Sequence, residues 1–275
     1  MCATILCIGL TARGASASDI LSKKTELKGI LTASPTSGTR DRTLWSRASG
    51  RARHLLTSSI YFARTGYWHN GERVNPDFPS ENFNNHKKVY LFFSQLASNK
   101  IVLDVGCGTG YGTAILAEHA AQTIGIDNSN NAISFAKRRY PKVDFRQMNA
   151  QQLRFPDASF DLIFSSENFE HLPDQASHLR ELRRVLKTGG LCFIATPNPE
   201  AFPGNNLNPF HSKENTYEEL IELFRPVFKD FVIVENSLSG KLDRGLVPRE
   251  SLAVFGQVLD ITYLSNTHSF FCFLR

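Results

Sequence analysis

The stretch Val102-Leu-Asp-Val-Gly-Cys-Gly-Thr-Gly-Tyr-Gly-Thr113 decides how this chain folds. Residues 101–105 are an apolar run broken only by Asp104, and glycine then recurs at 106, 108, 110 and 112. A strand that stops at such a turn and opens a helix presents backbone N–H groups and the positive end of the helix dipole to a ligand. Gly106, Gly108 and Gly110 lack side chains, so a ligand can approach the backbone closely. The expectation is a ligand-binding turn with free amides.

Outward from this turn, strand and helix patterns alternate. Apolar residues at helical spacing predict helices over 82–97, 111–119, 130–139, 175–186 and 217–224. Short apolar or extended runs predict strands over 101–105, 123–126, 143–146, 160–164, 191–195, 230–235 and 269–274, with Gly189-Gly190 as the turn into the fifth. A βαβαβ series of this kind implies a parallel sheet covered by helices on both faces. Residues 200–212 and 237–266 read as long irregular stretches, and loops of that length in a compact domain are commonly functional.

A glycine turn alone is shared by nicotinamide and flavin enzymes. Three residues separate the cases. A dinucleotide fingerprint starting at Gly106 requires glycine at 111, where this chain has Tyr111. Asp104 ends the strand, where its carboxylate can meet a cationic ammonium group directly or through water. Asp127 ends the second strand, where a carboxylate can accept from both hydroxyls of a ribose.

Together these residues resemble the class I methyltransferases that use S-adenosylmethionine (SAM), of the type 11 and quinone-pathway O-methyltransferase kind. Met148-Asn-Ala-Gln-Gln-Leu-Arg-Phe-Pro-Asp-Ala-Ser-Phe-Asp161 is similar to that family's adenine-binding loop, with Asn149 where Asp is usual. Leu182-Arg-Arg-Val-Leu-Lys-Thr-Gly-Gly190 is similar to its RVLKPGG segment, with Thr188 in place of Pro. The resemblance covers roughly residues 82–236. It implies a Rossmann-like, doubly wound α/β domain with a seven-stranded sheet whose last strand is antiparallel. It also implies that Asp104 and Gly106, Cys107, Gly108, Thr109 and Gly110 hold the methionine end of SAM. Asp127 and Asn128 would hold the ribose, and Asn149 with the Ala150 backbone the adenine. Helix capping by Asp127 and a turn role for Asn149 are the competing structural readings, and Cys107 reads as small filler rather than a nucleophile.

The acceptor side is expected at Ser165-Ser-Glu-Asn-Phe-Glu-His-Leu-Pro-Asp174, which follows the fourth strand at the carboxyl edge of the sheet. His171 is a candidate general base, because imidazole titrates near neutral pH, and Glu167 is a second candidate. Glu167, Glu170 and His171, with His211 from Asn208-Pro-Phe-His-Ser212, resemble the metal ligands of small-RNA 2′-O-methyltransferases. The Glu167–His171 part also resembles quinone-pathway O-methyltransferases. Mixed carboxylate and imidazole donors suit Mg²⁺ or Mn²⁺, but the same segment occurs in members of the fold without a metal, so the ion stays uncommitted. Thr196-Pro-Asn198 ends the fifth strand, either facing the acceptor or as a plain terminator. Specificity for the acceptor is expected in the long stretches and in 67–83.

Charge is uneven. Residues 1–66 carry ten Lys or Arg against three Asp or Glu, leaving 21 basic and 23 acidic residues for the rest of the 275-residue chain. The near-neutral body argues against a nucleic-acid partner and the net +5 belongs to the extension. Residues 1–65 therefore read as a basic extension, disordered or spurious, or a transit peptide, or a secretory signal, ahead of a methyltransferase domain over 66–275. No apolar run reaches the roughly 18 residues of a membrane helix. The five cysteines, Cys2, Cys7, Cys107, Cys192 and Cys272, form no CxxC pair, which argues against zinc or a disulfide scaffold. A soluble cytoplasmic enzyme is expected, with organellar import through the extension open. The favoured reaction is O-methylation of a small-molecule or glycan hydroxyl, since the Asn/Asp-Pro-Pro-Tyr/Phe signature of amino-group methyltransferases is missing. The alternatives are an RNA 2′-O-methyltransferase, a non-catalytic SAM-binding subunit and, distantly, an oxidoreductase.

Overall fold

A computed structural model describes residues 74–77, 80–201, 210–235, 251–254, 257–260 and 269–275, all within one structural unit spanning 58–275. The basic extension expected over residues 1–65 lies outside the described residues.

Helix α1 (Glu81–Ser94) starts where the Ser80 hydroxyl accepts from the Phe83 amide at 3.0 Å. Then come β1 (Ile101–Val105), α2 (Tyr111–Ala117), β2 (Gln122–Asp127), α3 (Asn130–Arg139), β3 (Asp144–Gln147) and β4 (Phe160–Ser166). A 3₁₀ turn (Phe169–His171) leads to α4 (Gln175–Val185), β5 (Leu186–Pro197), α5 (Tyr217–Phe224) and β6 (Phe231–Glu235). Last come β7 (Ser251–Val254), β8 (Gln257–Asp260) and β9 (Ser269–Leu274). Seven strands form one sheet in the order β3-β2-β1-β4-β5-β9-β6, and β9 runs antiparallel to both β5 and β6. The expected seven-stranded doubly wound sheet with its last strand antiparallel is the sheet observed.

Alternation along the strands sorts the core into two layers. Leu103, Val105, Ile163, Phe270 and Cys272 pack with Leu179 and Leu182 of α4 and Leu220 and Phe224 of α5. Val102, Leu162, Phe164, Phe193 and Phe271 pack on the other face with Phe92, Phe93 and Leu116 from α1 and α2. Phe93 is the centre of that second layer. Its ring centroid lies 3.6 Å from that of Phe193 and 5.0 Å from that of Phe164. All six residues of β9 are buried, as a continuous apolar strand between two neighbours should be.

Two differences from the sequence reading have physical causes. β5 begins at Leu186, not after Gly189-Gly190: Phe160 pairs with Leu186 and Leu162 with Leu191, so the glycines sit in a bulge inside the strand. Gly189 takes a φ of +76° there, which its missing Cβ permits. The stretch 237–266, read as irregular, contains the β7–β8 pair, registered from Ser251 opposite Asp260 to Val254 opposite Gln257. These strands of four residues are too short for a period to show. No helix among the described residues is long and apolar enough to cross a membrane.

Phe93→Ala should cost about 3–5 kcal/mol of unfolding free energy, because the hole opens between α1 and three sheet aromatics. Urea unfolding of the variant checks this. A loss under about 1 kcal/mol would mean that α1 does not depend on this packing for its seat.

Candidate active site

The order of the sheet reverses at β1, which lies between β2 and β4, and open α/β sheets form their ligand crevice at such a point. A cleft of about 760 Å³ opens there, bounded by α1, the glycine turn, the ends of β2 and β4, and residues 148–151 and 210–211.

The glycine turn is held from within. The Ile126 carbonyl accepts from the amides of Gly106 at 2.8 Å and Cys107 at 2.9 Å, the Asp127 Oδ2 from Gly108 at 3.0 Å, and the Cys107 carbonyl from Gly110 at 2.9 Å. The expected free amides are therefore largely engaged, because the turn needs them to hold its own shape. Gly106 has a φ of +79°, and a Cβ there would lie 2.6 Å from the Asn168 side chain, so no larger residue fits. A Cβ at Gly110 would meet Ala136 of α3 and Phe145 of β3 at 2.7 and 2.8 Å.

Asp104 does not line the cleft. It is completely buried beneath α1, where the hydroxyls of Thr113 at 2.6 Å and Tyr90 at 3.2 Å donate to its carboxylate. Burial, opposed by those two donors, pushes its carboxyl up to about 7. Tyr90 does face the cleft, and its ring lies so close to Gly112 that a Cβ there would sit 2.1 Å away. Burial and the Asp104 charge hold the Tyr90 hydroxyl well above its ordinary pKa, so it stays a donor to Asp104 and offers its own oxygen outward. Tyr90 is a cleft-lining residue that the sequence reading missed; the signal available was its place among apolar neighbours at helical spacing.

Asp127 lies at the cleft's edge, accepting from the Ser129 amide at 2.8 Å as well as from Gly108. The cap of α3 is Ser129, so capping is not the role of Asp127. Asn149 lines the cleft and its Oδ1 accepts from the Gln151 amide at 2.9 Å, the turn-forming role weighed above. Its amide N–H₂ has no bond to another described group. The loop that carries it is fastened by α4. His178 Nδ1 donates to the Ala150 carbonyl at 2.8 Å, Glu181 accepts from the Leu153 amide at 2.7 Å, and Arg184 donates to the carbonyls of Leu153 and Phe155. Cys107 and Asn128 also line the cleft, and burial with the neighbouring Asp104 charge raises the Cys107 thiol well above its ordinary value, which removes it as a nucleophile.

On the far wall, β4 is followed by Glu167, a non-glycine residue with a φ of +49°, whose amide donates to the Ala195 carbonyl at 2.9 Å. Left-handed backbone at a residue with a Cβ is uncommon and clusters at functional sites. Glu170, His171 and His211 each bring one ligand atom within 4.8 Å of the others. His171 Nδ1 bonds the Phe210 carbonyl at 2.9 Å and His211 Nδ1 bonds Glu214 Oε1 at 2.5 Å. A carbonyl and a carboxylate only accept, so Nδ1 is the donor in both rings and Nε2 is the atom that each ring has left for a ligand. Burial, with the Glu167 charge adding to it, raises the Glu170 carboxyl well above its ordinary value. The structure thus brings together three of the four residues considered as metal ligands. The Glu167 carboxylate instead accepts from the Ser269 hydroxyl at 3.1 Å and falls outside the three-residue group. Thr196 turns its hydroxyl to Glu170 at 3.2 Å, so the end of β5 supports this wall.

The methyltransferase domain family model matches residues 103–194, from β1 through most of β5. A relative from Aspergillus nomiae named O-methyltransferase rstn1 is 33% identical over 162 residues, which are 53% of this chain and 71% of that protein. The chain belongs to the SAM-dependent methyltransferases. A Mycolicibacterium smegmatis relative of this methyltransferase, named a probable S-adenosylmethionine-dependent methyltransferase, is 40% identical over 158 residues, 56% of this chain. The chain spans 62% of that relative's length. Among solved structures, the cyclase SpnF superposes with a TM-score of 0.50 at 21% identity, covering 67% of this chain and 75% of its own. At that identity the likeness concerns the methyltransferase fold alone.

Because the Asp104 carboxyl moves from 3.8 to about 7 on folding, the folded state holds this proton more tightly. Its contribution to stability is complete below about pH 4 and is lost as the pH rises to about 7, an amount on the order of 4 kcal/mol. Thermal unfolding of ligand-free Asp104→Asn between pH 4 and 7 should show a flatter dependence than the parent. Parallel curves would place the titration elsewhere.

Proposed function

We propose that this chain transfers the methyl group of SAM to a hydroxyl of a small-molecule or glycan-type acceptor. One observation carries the reading: a single cleft joins the glycine turn and Asp127 on one side to the Glu170, His171 and His211 group on the other. The first side suits the donor. Asp127 lines the cleft with a carboxylate that would accept from the ribose hydroxyls, and the bare face of Gly108, with no described atom within 4 Å of a Cβ placed there, leaves room for the ligand beside the turn. Asn149 and Ala150 line the cleft, the latter held by His178, and in this reading they would meet the adenine edge. The second side suits deprotonation of a hydroxyl, and the Aspergillus relative is named an O-methyltransferase.

Methyl transfer from a sulfonium is an in-line displacement. The acceptor oxygen bonds the methyl carbon, the carbon–sulfur bond breaks, and the electron pair stays on sulfur to give S-adenosylhomocysteine. The protein's task is alignment and exclusion of water, with a base to take the hydroxyl proton. His171 Nε2, with its lone pair freed by the Phe210 carbonyl, is the base in this reading, and Glu167 sets the negative field beside it. Were a divalent ion held by Glu170, His171 and His211, the His171 Nε2 lone pair would be spent on it, and the ion would take over the base's part by lowering the acceptor hydroxyl's pKa as a Lewis acid.

Asp127→Ala should weaken SAM binding in titration calorimetry by roughly 1.5–3 kcal/mol for each charge-assisted bond lost. Unchanged affinity would remove Asp127 from the donor site. Calorimetric titration with Mg²⁺ or Mn²⁺ should show one site in the parent and none in His211→Ala; heat identical in both proteins would remove the metal. Labelled SAM with pooled metabolites, sugars and RNA identifies the acceptor. Label appearing only in RNA, with salt-dependent binding, would replace the small-molecule reading.

A further inference from the structure

Asn82, His86 and Tyr90 recur every four residues along α1, and all three side chains line the cleft. On a helix this spacing stacks them on one face, about 6 Å apart along the axis. The stripe sits over the glycine turn: Phe83 and Tyr90 lie against Tyr111 with ring centroids at 5.1 and 5.6 Å, and Tyr90 reaches Asp104. Neither the Asn82 nor the His86 side chain has a hydrogen-bond or ionic partner among the described residues, but Asn82 is exposed whereas His86 is partly buried, and burial lowers the His86 pKa to about 4 and so keeps the ring neutral. A neutral imidazole still offers one N–H donor.

Among the described residues that line the cleft there is no lysine and no arginine. The carboxylates lining the cleft nearby are Asp127 and Glu167, and most of the glycine turn's amides are taken. An amino-acid tail entering this end brings an ammonium and a carboxylate on one carbon atom. Tyr90 lines the cleft and donates to Asp104, so its hydroxyl oxygen is an acceptor that the ammonium could use. The carboxylate is then left in an acidic neighbourhood, and the cleft histidines His171 and His211 belong to the opposite wall.

We propose that α1 reads the zwitterionic end of the methyl donor, and that His86 is the residue that donates to its carboxylate, one helical turn from the tyrosine that receives its ammonium. This rests on SAM being the donor. His86 is then a specificity-determining residue: it separates donors that carry the carboxylate from those that do not.

Calorimetry with SAM and with decarboxylated SAM, which keeps the sulfonium and the amine and lacks only the carboxylate, tests this on the full-length chain. His86→Ala should weaken SAM roughly ten- to hundredfold and change decarboxylated SAM by less than about twofold. His86→Gln, which keeps a donor at this position, should recover part of the loss for SAM alone. Equal weakening of both ligands, or no change in either, overturns the proposal. A parent protein that binds neither ligand overturns the SAM reading itself, a different result from selective failure at His86.

Discussion

One carbonyl shapes the donor half of the molecule. By accepting from both Gly106 and Cys107, Ile126 ties the end of β1 to the end of β2 and forces the chain to turn within two residues. The next residue along β2, Asp127, closes the turn again through Gly108. Glycine is needed where this folded-back loop meets Asn168 on one side and α3 on the other. The same tie fixes how far apart the carboxylates of Asp104 and Asp127 stand, since the two residues end neighbouring strands in fixed register. The turn therefore works less as a row of amides for an anion than as a rigid bracket for two acidic groups.

The opposite wall is built from two distant segments fastened together. The Glu170 carbonyl accepts from the amides of Ser212 and Lys213, the Ser212 hydroxyl donates to the His171 carbonyl, and Gln175 links Phe169, Lys213 and Asn215. His171 and His211 face each other at 5.0 Å between ring centroids because of these bonds, not because of sheet register.

Strands such as β1 and β9 and helices such as α3 and α5 were legible because apolar period and burial coincide in them. The bulge at Gly189-Gly190 was hidden because a glycine pair reads as a turn until its neighbours are seen to pair across it. Asp127 and the Glu170–His171 pair were legible from residue type at a strand's end. Tyr90 and His86 were not, since a tyrosine and a histidine on an amphipathic helix look like core and surface until the helix is placed over the glycine turn. His178 was hidden for the same reason: only contact with the Ala150 carbonyl separates it from a buried filler.

The missing lysine and arginine along the described cleft have an electrostatic consequence. A sulfonium donor enters with a net positive charge and leaves without it, while Asp127 and Glu167 remain as they were. With no described lysine or arginine in the lining to offset those two carboxylates, the cleft favours a positively charged guest over a neutral one of the same shape.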